Sequence, residues 1–410
     1  MSSTAMPGGR VLHLDVLRAV AILLVLGAHR PEGAPATAWG HAFLDTWQRC
    51  GWAGVDLFFA LSGYLIVGLL LAERHRTGTI DVKAFAWRRV CKIYPPYIFF
   101  LVAAVIWSAS IAPFWPAVVH LQNYFPVADA PHLWSLAMEE HCYLLMLGVV
   151  LFASRRGDPL RSRTIPIVLL TLFVASWIGR LAYVVWGYAG TGEIGFAYTH
   201  NRLDAVLAGS LVAWLVQRAA WERGRHVMLA ASVVCFVPTA TLDIYAHRPL
   251  FLVGVLPLQA LGFGLLLLGL SAGKRRSSRL LRAFAFVGIS SYSTYLWHWP
   301  FAMALARYIR LGPLEGHPAG PLLHVAVFIA VALGLGAVSF HLIEKAARRI
   351  SHGPGSWLGV RAVSSSTRDC APADRHGRRE DNWHTGRRAA ADSSDSSSLA
   401  VGRDASHPGR

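Results

Sequence analysis

Long apolar segments recur along the chain, and they constrain the fold more than any other feature. A helix needs about 20 apolar residues to cross the roughly 30 Å hydrocarbon layer of a bilayer. Hydrophobic residues make up 54% of the chain and charged residues only 15%, a balance that is unusual in soluble globular proteins. The sequence therefore predicts an all-α polytopic membrane protein, a bundle of about ten transmembrane helices. The ten candidate spans cover about 12–29, 50–72, 93–112, 134–153, 164–186, 201–217, 226–242, 250–272, 284–309 and 321–343.

The basic residues of the loops predict the orientation of these helices. Short cytoplasmic loops carry an excess of Lys and Arg. The loops after the even-numbered spans hold eighteen such residues, and the loops after the odd-numbered spans hold four. Both termini are therefore predicted to be cytoplasmic. Because the loops and the C-terminal segment account for most of the net charge of +16, the basic composition gives little support to nucleic-acid binding.

The composition changes near residue 351. From there Ser, Arg, Asp and Gly replace most aliphatic residues, and such a segment cannot bury enough apolar area to offset its ordering entropy. We predict a membrane domain over residues 1–350 and a disordered cytoplasmic tail over 351–410. The five cysteines have no paired spacing, so the sequence indicates neither a disulfide framework nor a metal site.

The first span carries two ionisable groups, Arg18 and His29, in the stretch RAVAILLVLGAHR. Eleven positions at 100° per residue amount to three turns plus about 20°, so the two side chains share one helix face about 16 Å apart along the axis. A snorkelling arginine and an interfacial histidine would be the structural alternative. Ionisable groups within a span are functional candidates by default, so this face is predicted to line a path from Arg18, nearer the cytoplasm, to His29.

Further polar side chains are predicted at the depth of His29, in the outer half of the membrane. Tyr143 follows one of them, Glu139, on the same helix face, and packing between helices is its favoured structural alternative. Because these polar side chains lie at the same depth of the membrane, the sequence predicts a functional site at that depth. They are Asp56, Glu139, Arg202 and His298.

Each member of this set also has a structural alternative. Buried charges are normally paired, so Asp56 and Arg202 could pair simply to permit burial. Tryptophans on both sides of His298 are typical of an interfacial aromatic belt. Glu140 adjoins Glu139, and only one of two neighbouring carboxylates can face a given site.

A basic cluster, WRRVCKIYPPY, precedes the third span. Arg88, Arg89 and Lys92 lie in it, and Pro95 and Pro96 are predicted to break the start of the span. The positive-inside rule explains such charges without a ligand. Guanidinium groups also bind phosphates through paired hydrogen bonds, so the cluster is a candidate site for a phosphate-bearing cofactor.

Seven motifs, taken in order, resemble the acyltransferase-3 family of bacterial integral-membrane O-acyltransferases. The resemblance extends over about residues 10–350. It implies transfer of an acyl group, usually acetyl, from acyl-CoA to a hydroxyl, most often on a cell-surface saccharide. The motifs are LDVLRAVAILLVLGAH, GWAGVDLFFALSGYLI, RRVCKIYPPY, WSLAMEEHCYLL, RLDAVLAGSL, SYSTYLWHWP and IEKAARR.

The resemblance also implies which residues matter. The arginine and histidine that match Arg18 and His29 are regarded as essential in that family. The motifs that contain Glu139, Arg202 and His298 are similar to further functional positions. Two positions depart from the family pattern: Lys92 stands where an arginine is usual, which weakens a bidentate role there, and Cys142 stands where a phenylalanine is expected.

This reaction assigns an expected role to each candidate. His29 is the expected general base, since a near-neutral imidazole can accept the proton of the attacking hydroxyl. Glu139 is expected to orient or charge-stabilise His29 only if the two lie within hydrogen-bond reach. Arg18 is expected to contact CoA or to stabilise the thioester oxyanion. The acceptor is assigned to Asp56, Tyr143, Arg202 and His298, and the donor phosphates to Arg88, Arg89 and Lys92.

We therefore predict a multi-pass O-acetyltransferase of the bacterial inner membrane. Its donor is cytoplasmic acyl-CoA, expected to be acetyl-CoA, its acceptor is a saccharide or glycoconjugate such as O-antigen, capsule or exopolysaccharide, and membrane lipid surrounds it. No metal is expected, and because no covalent nucleophile stands out, direct transfer is expected, with a transient acyl-histidine as the chemical alternative. A glycosylated small metabolite such as a macrolide is an alternative acceptor. A transporter or proton relay, which would use the same polar groups, is the alternative from another class.

Overall fold

The computed structural model describes residues 12–31, 37–187, 197–219, 221, 223–242, 247–272, 278–308 and 320–351, and all regular structure in them is helical. Three-residue 3₁₀ turns (Ala112–Phe114, Pro131–Leu133 and Thr199–Asn201) and five-residue π turns (Tyr183–Gly187, Phe251–Val255 and Phe340–Glu344) adjoin the α-helices. The α-helices are α1 (Leu12–Ala28), α2 (Ala38–Cys50), α3 (Trp52–Thr77), α4 (Val82–Ser108), α5 (Trp115–Val118), α6 (Trp134–Arg155), α7 (Thr164–Ala182), α8 (Asp204–Arg218), α9 (Arg225–Thr241), α10 (Arg248–Leu250), α11 (Leu256–Ser271), α12 (Arg279–Ile289), α13 (Ser291–Tyr308), α14 (Gly320–Ser339) and α15 (Lys345–Ser351).

The all-α class is confirmed. Six helical stretches of the described chain are long and apolar enough to cross a membrane, and α9 is a shorter apolar helix. Each of the ten predicted spans overlaps helical structure, but ten crossings and the cytoplasmic placement of both ends remain predictions. Residues 352–410 of the predicted tail lie outside the described residues. The six stretches are Ala38–Thr77, Val82–Ser108, Pro131–Arg155, Thr164–Trp186, Arg248–Ser271 and Gly320–Ala347.

The outward faces of the helices are apolar. On α4, for example, Ile106 is 74% exposed, and on α7 Leu170 is 63% exposed. A soluble chain rarely shows such continuous apolar surface, whereas lipid tails cover it without penalty. The pattern therefore agrees with a multi-pass membrane protein.

Three boundaries differ from the sequence prediction. Pro95 and Pro96 do not break the third span, because α4 starts at Val82 and continues through both prolines. A proline removes one helical hydrogen bond and kinks a helix rather than ending it where packing holds both sides, and Pro96 and Tyr97 are buried here. The predicted loop after the first span contains α2, and the ninth predicted span divides at Ser290 into α12 and α13.

The helix crossings rely on glycine. A Cβ on Gly63 of α3 would overlap the carbonyl oxygen of Val206 on α8, and a Cβ on Gly209 would overlap that of Ala60. Small residues let helix backbones approach closely where no hydrophobic effect drives association in lipid. The close α3–α8 crossing places the buried polar residues of both helices side by side.

Candidate active site

His29 directly follows α1 and keeps part of its surface exposed. Its position is set by α2, since Trp47 donates from Nε1 to the carbonyl of Leu23 at 3.0 Å. Gly27 makes this approach possible, because a Cβ there would overlap the indole ring. The Trp47 ring thus packs against the end of α1 at Gly27, two residues before His29.

His29 contacts His298 of α13, 269 positions away. His29 Nδ1 lies 3.1 Å from His298 Nε2, and the ring centroids are 4.9 Å apart. Trp299 packs edge-on against His29 at 4.7 Å. Two predicted site residues from opposite ends of the sequence therefore form one pair.

The hydrogen bonds fix which nitrogens carry protons. His298 Nδ1 lies 2.6 Å from the carbonyl oxygen of Tyr295, and His29 Nδ1 lies 3.1 Å from that of Val25. Because a carbonyl only accepts, both Nδ1 atoms are donors. The neutral His298 then accepts from His29 at Nε2, and His29 keeps the lone pair on its own Nε2. In the described residues no hydrogen bond occupies that nitrogen.

The sequence prediction missed a third histidine. His132, in the 3₁₀ turn before α6, is buried, and its ring lies 5.2 Å from that of His298. It stands two residues before the motif WSLAMEEHCYLL, and its position close to that motif was the one signal that could have found it. No group of His, Cys, Asp or Glu among the described residues is arranged to hold a metal ion.

Glu139 belongs to a separate group of hydrogen bonds. Its Oε1 accepts from Ser62 Oγ of α3 at 2.5 Å and from the hydroxyl of Tyr143 one turn further along α6. Neither bond involves His29. The condition for an orienting role of Glu139 toward His29 is therefore not met in this structure, where His298 holds that position.

The basic cluster reaches this second group. The Arg89 guanidinium lies 4.3 Å from the ring centroid of Tyr143, within cation–π range. Arg88 points elsewhere and pairs with Glu73 of α3 at 3.5 Å. Lys92 lies on α4 one turn beyond both arginines. Arg89, which was predicted to bind the phosphates of the acyl donor, thus contacts Tyr143, and Tyr143 in turn bonds Glu139.

Polar side chains on α6 contact both the Glu139 cluster and a neighbour of the histidine pair. Ser135, Glu139 and Tyr143 follow at intervals of four residues, so they share one helix face. Ser135 Oγ lies 2.6 Å from the hydroxyl of Tyr295, whose carbonyl holds His298. This face of α6 therefore contacts both Arg89 and a neighbour of the histidine pair, and the path along α1 stays a prediction.

Arg18 forms an ion pair within its own helix. Its Nη1 lies 2.6 Å from Asp15 Oδ1, and the arginine side chain is 26% exposed. α1 is continuous from Leu12 to Ala28, so the helix runs without a break from Arg18 to the residue before His29. In the described residues Arg18 makes no contact with the histidine pair.

Asp56 and Arg202 pair with each other, which was the structural alternative. Their buried side chains meet at 2.7 Å, and Asp56 also accepts from Gln259 at 2.6 Å. A second buried pair, Arg180 with Asp204, was missed by the sequence prediction; one of its contacts measures 2.9 Å. Both pairs tie α8 and the turn before it to neighbouring helices.

His120 is a further buried histidine, between α5 and α6. Its ring stacks on Tyr97 at 5.0 Å. Burial, and secondarily the neighbouring His141, lower the pKa of His120 below its usual range. It is therefore neutral at physiological pH and packs as an aromatic ring.

Comparison with known proteins identifies the family. The family model described as an acyltransferase domain matches residues 11–341. Among curated proteins the chain is 26% identical to O-acetyltransferase OatA of Staphylococcus aureus over 374 residues, which cover 82% of this chain and 57% of the relative. No solved structure matches the chain.

Two further relatives have similar coverage. Peptidoglycan O-acetyltransferase OatA of Listeria monocytogenes is 28% identical over 325 residues, 70% of this chain and 48% of that protein. The putative peptidoglycan O-acetyltransferase YrhL of Bacillus subtilis is 25% identical over 374 residues, 82% and 54% respectively. The chain spans about half the length of the curated relatives it matches. The family model covers most of the chain, which therefore belongs to the acyltransferase-3 family.

Proposed function

We propose that this member of the acyltransferase-3 family is an O-acetyltransferase that moves an acetyl group from cytoplasmic acetyl-CoA to a hydroxyl of a cell-envelope polysaccharide. The observation that carries the proposal is the His29–His298 pair. Its hydrogen bonds hold the unprotonated Nε2 of His29 available at the end of α1, and such a nitrogen is what a general base needs.

The proposed reaction is a direct transfer. The acceptor hydroxyl attacks the thioester carbon as His29 Nε2 takes its proton. The new carbon–oxygen bond forms, the carbon–sulfur bond breaks, and the proton on His29 passes to the leaving CoA thiolate. His298 stabilises the transient imidazolium by accepting from Nδ1. Glu139 is proposed to act on Tyr143 and Ser62, its observed partners.

The donor is proposed to enter from the end of the bundle that carries Arg88, Arg89 and Lys92. Guanidinium groups suit the CoA phosphates. Arg18 is proposed to contact the CoA moiety rather than the oxyanion, because it lies about 16 Å along α1 from His29. That spacing is too great for both side chains to reach one carbonyl carbon.

The acceptor is proposed to be peptidoglycan. Two relatives carry that polymer in their names, which favours it over O-antigen, capsule, exopolysaccharide or a glycosylated metabolite. His298 is proposed to act through His29. Asp56 and Arg202 are proposed to stabilise the helices that surround the acceptor site, through their ion pair. The protein is proposed to lie in the inner membrane with its acceptor site toward the outside, because the loop charges favour that orientation.

The test is transfer by purified protein in lipid from radiolabelled acetyl-CoA. Peptidoglycan fragments, O-antigen and a macrolide are offered separately, and ester formation is read by mass spectrometry. Acetylation of the peptidoglycan fragments, lost in His29→Gln and kept in the exposed control His41→Gln, is expected. Solute uptake into vesicles without consumption of acetyl-CoA would instead support a transporter.

A further inference from the structure

α13 contains a backbone carbonyl that its own helix cannot satisfy. In an α-helix the carbonyl of residue i accepts from the N–H of residue i+4. The partner of Leu296 would be residue 300, which is Pro300 and has no N–H. A buried acceptor left unpaired costs about 1–3 kcal/mol. Another donor is therefore needed at this point of the helix.

His132 supplies that donor from outside the helix. Its Nε2 lies 3.2 Å from the Leu296 carbonyl oxygen and donates to it. The carbonyl of His132 in turn accepts from the hydroxyl of Tyr295 at 2.8 Å. One residue of the turn before α6 thus holds two consecutive residues of α13.

These two residues lie directly before the histidine pair. The Tyr295 carbonyl accepts from His298 Nδ1 at 2.6 Å, and His298 Nε2 accepts from His29 Nδ1 at 3.1 Å. Four hydrogen bonds therefore lead from His132 to the proposed base. Because His132 is only 3% exposed, water has little access to replace it.

We propose that His132 is a positioning residue for the transfer reaction. It fills the hydrogen bond that Pro300 removes, fixes the turn of α13 that carries His298, and through His298 keeps the Nε2 lone pair of His29 available. This inference rests on the proposed function of His29. The alternative is a buried histidine that contributes to stability alone.

The test compares two substitutions of the same residue. His132→Gln keeps an N–H donor at about the reach of Nε2, whereas His132→Leu has none. We expect kcat in the Leu variant to fall about 10–100-fold, because small displacements of a catalytic group cost up to that much. The KM for acetyl-CoA should stay within about twofold, and Gln should restore most of kcat.

Trp214→Phe is the matched control for stability. It removes another buried N–H donor, since Trp214 Nε1 donates to the Pro159 carbonyl at 3.0 Å. Neither Trp214 nor Pro159 belongs to the chain of hydrogen bonds around the histidines. It is expected to lower the melting temperature and to leave kcat unchanged. A Leu variant with wild-type kcat, or a Gln variant as impaired as the Leu variant, would overturn the proposal.

A second measurement does not depend on activity. Nitrogen-15 NMR of histidine-labelled protein in bilayers distinguishes the two neutral tautomers, and the His29 signal is assigned by its loss in His29→Gln. The wild type should show a proton on Nδ1, and His132→Leu a mixture. An unchanged signal in His132→Leu would contradict the positioning role, whereas an inactive wild type with the expected tautomer would contradict only the proposed function.

Discussion

His29 Nδ1 lies 3.1 Å from His298 Nε2, although the two residues are separated by 269 positions. Because the His298 proton is engaged by the Tyr295 carbonyl, the pair has one arrangement of protons. That arrangement leaves Nε2 of His29 as the basic nitrogen. The relationship turns two separately predicted residues into one chemical unit.

The two histidines should therefore be coupled in catalysis. His29→Gln is expected to lower kcat by about 10²–10⁴, the range for loss of a general base. His298→Leu should lower it less, and the double variant should resemble His29→Gln alone, since residues that act as a unit are not additive. Acetyl transfer at saturating acetyl-CoA is the measurement. Additive losses would mean that the two act independently.

Acid should inactivate the enzyme in a single protonation step. The rings of His29 and His132 lie 4.9 and 5.2 Å from that of His298. Two unit charges at about 5 Å repel by about 3 kcal/mol at an effective dielectric of 20, so a positive charge on one of these rings disfavours the uptake of a further proton by its neighbour. A proton on His29 Nε2 removes the base, so kcat/KM should fall with acidification with a limiting slope of one. A slope of two would contradict this.

Arg89 should act on donor binding. Arg89→Gln removes the charge above Tyr143 and is expected to raise the KM for acetyl-CoA about 10-fold, within the range for a charge-assisted contact. Arg156→Gln is the matched control, because Arg156 lies over Phe152 at 4.4 Å outside the proposed site. Equal effects of both variants on the KM would indicate a general loss of positive charge.

The buried pair of Asp56 and Arg202 should be needed for folding. Asp56→Asn leaves Arg202 buried beside a neutral partner, and breaking a buried pair costs about 3–5 kcal/mol. The melting temperature in detergent is expected to drop clearly. The double variant Asp56→Leu/Arg202→Met should recover much of this loss. If the double variant is stable and fully active, neither residue binds the acceptor.

The α3–α8 crossing should not tolerate a larger residue at Gly209. A Cβ there overlaps the Ala60 carbonyl, and overpacking typically costs about 1–3 kcal/mol. Gly209→Ala should lower the melting temperature. Gly148→Ala on α6, where a Cβ meets no atom within 4 Å, should be neutral or stabilising. Similar melting temperatures for both would contradict the close crossing.

Several site predictions depended on information that a sequence does not contain. The candidates at one depth were found from their distance along each span, but depth does not say which helices are neighbours. Glu139 was expected to orient His29 only if the two lie within hydrogen-bond reach, and in the structure it bonds Ser62 and Tyr143. His132 was missed because a single histidine before α6 gives no hint of the unpaired carbonyl that Pro300 creates on α13.

The sequence by itself determined the helical class and most of the apolar segments that form helices, because apolar length and periodicity are local properties that lipid selects directly. It also predicted, from regular helix geometry, that Arg18 and His29 share one helix face. Only the tertiary structure decided which polar groups meet. Glycines allow helices such as α3 and α8 to cross closely, and Pro300 removes a hydrogen bond within α13. A buried polar group then pairs with whichever partner the packing brings within reach.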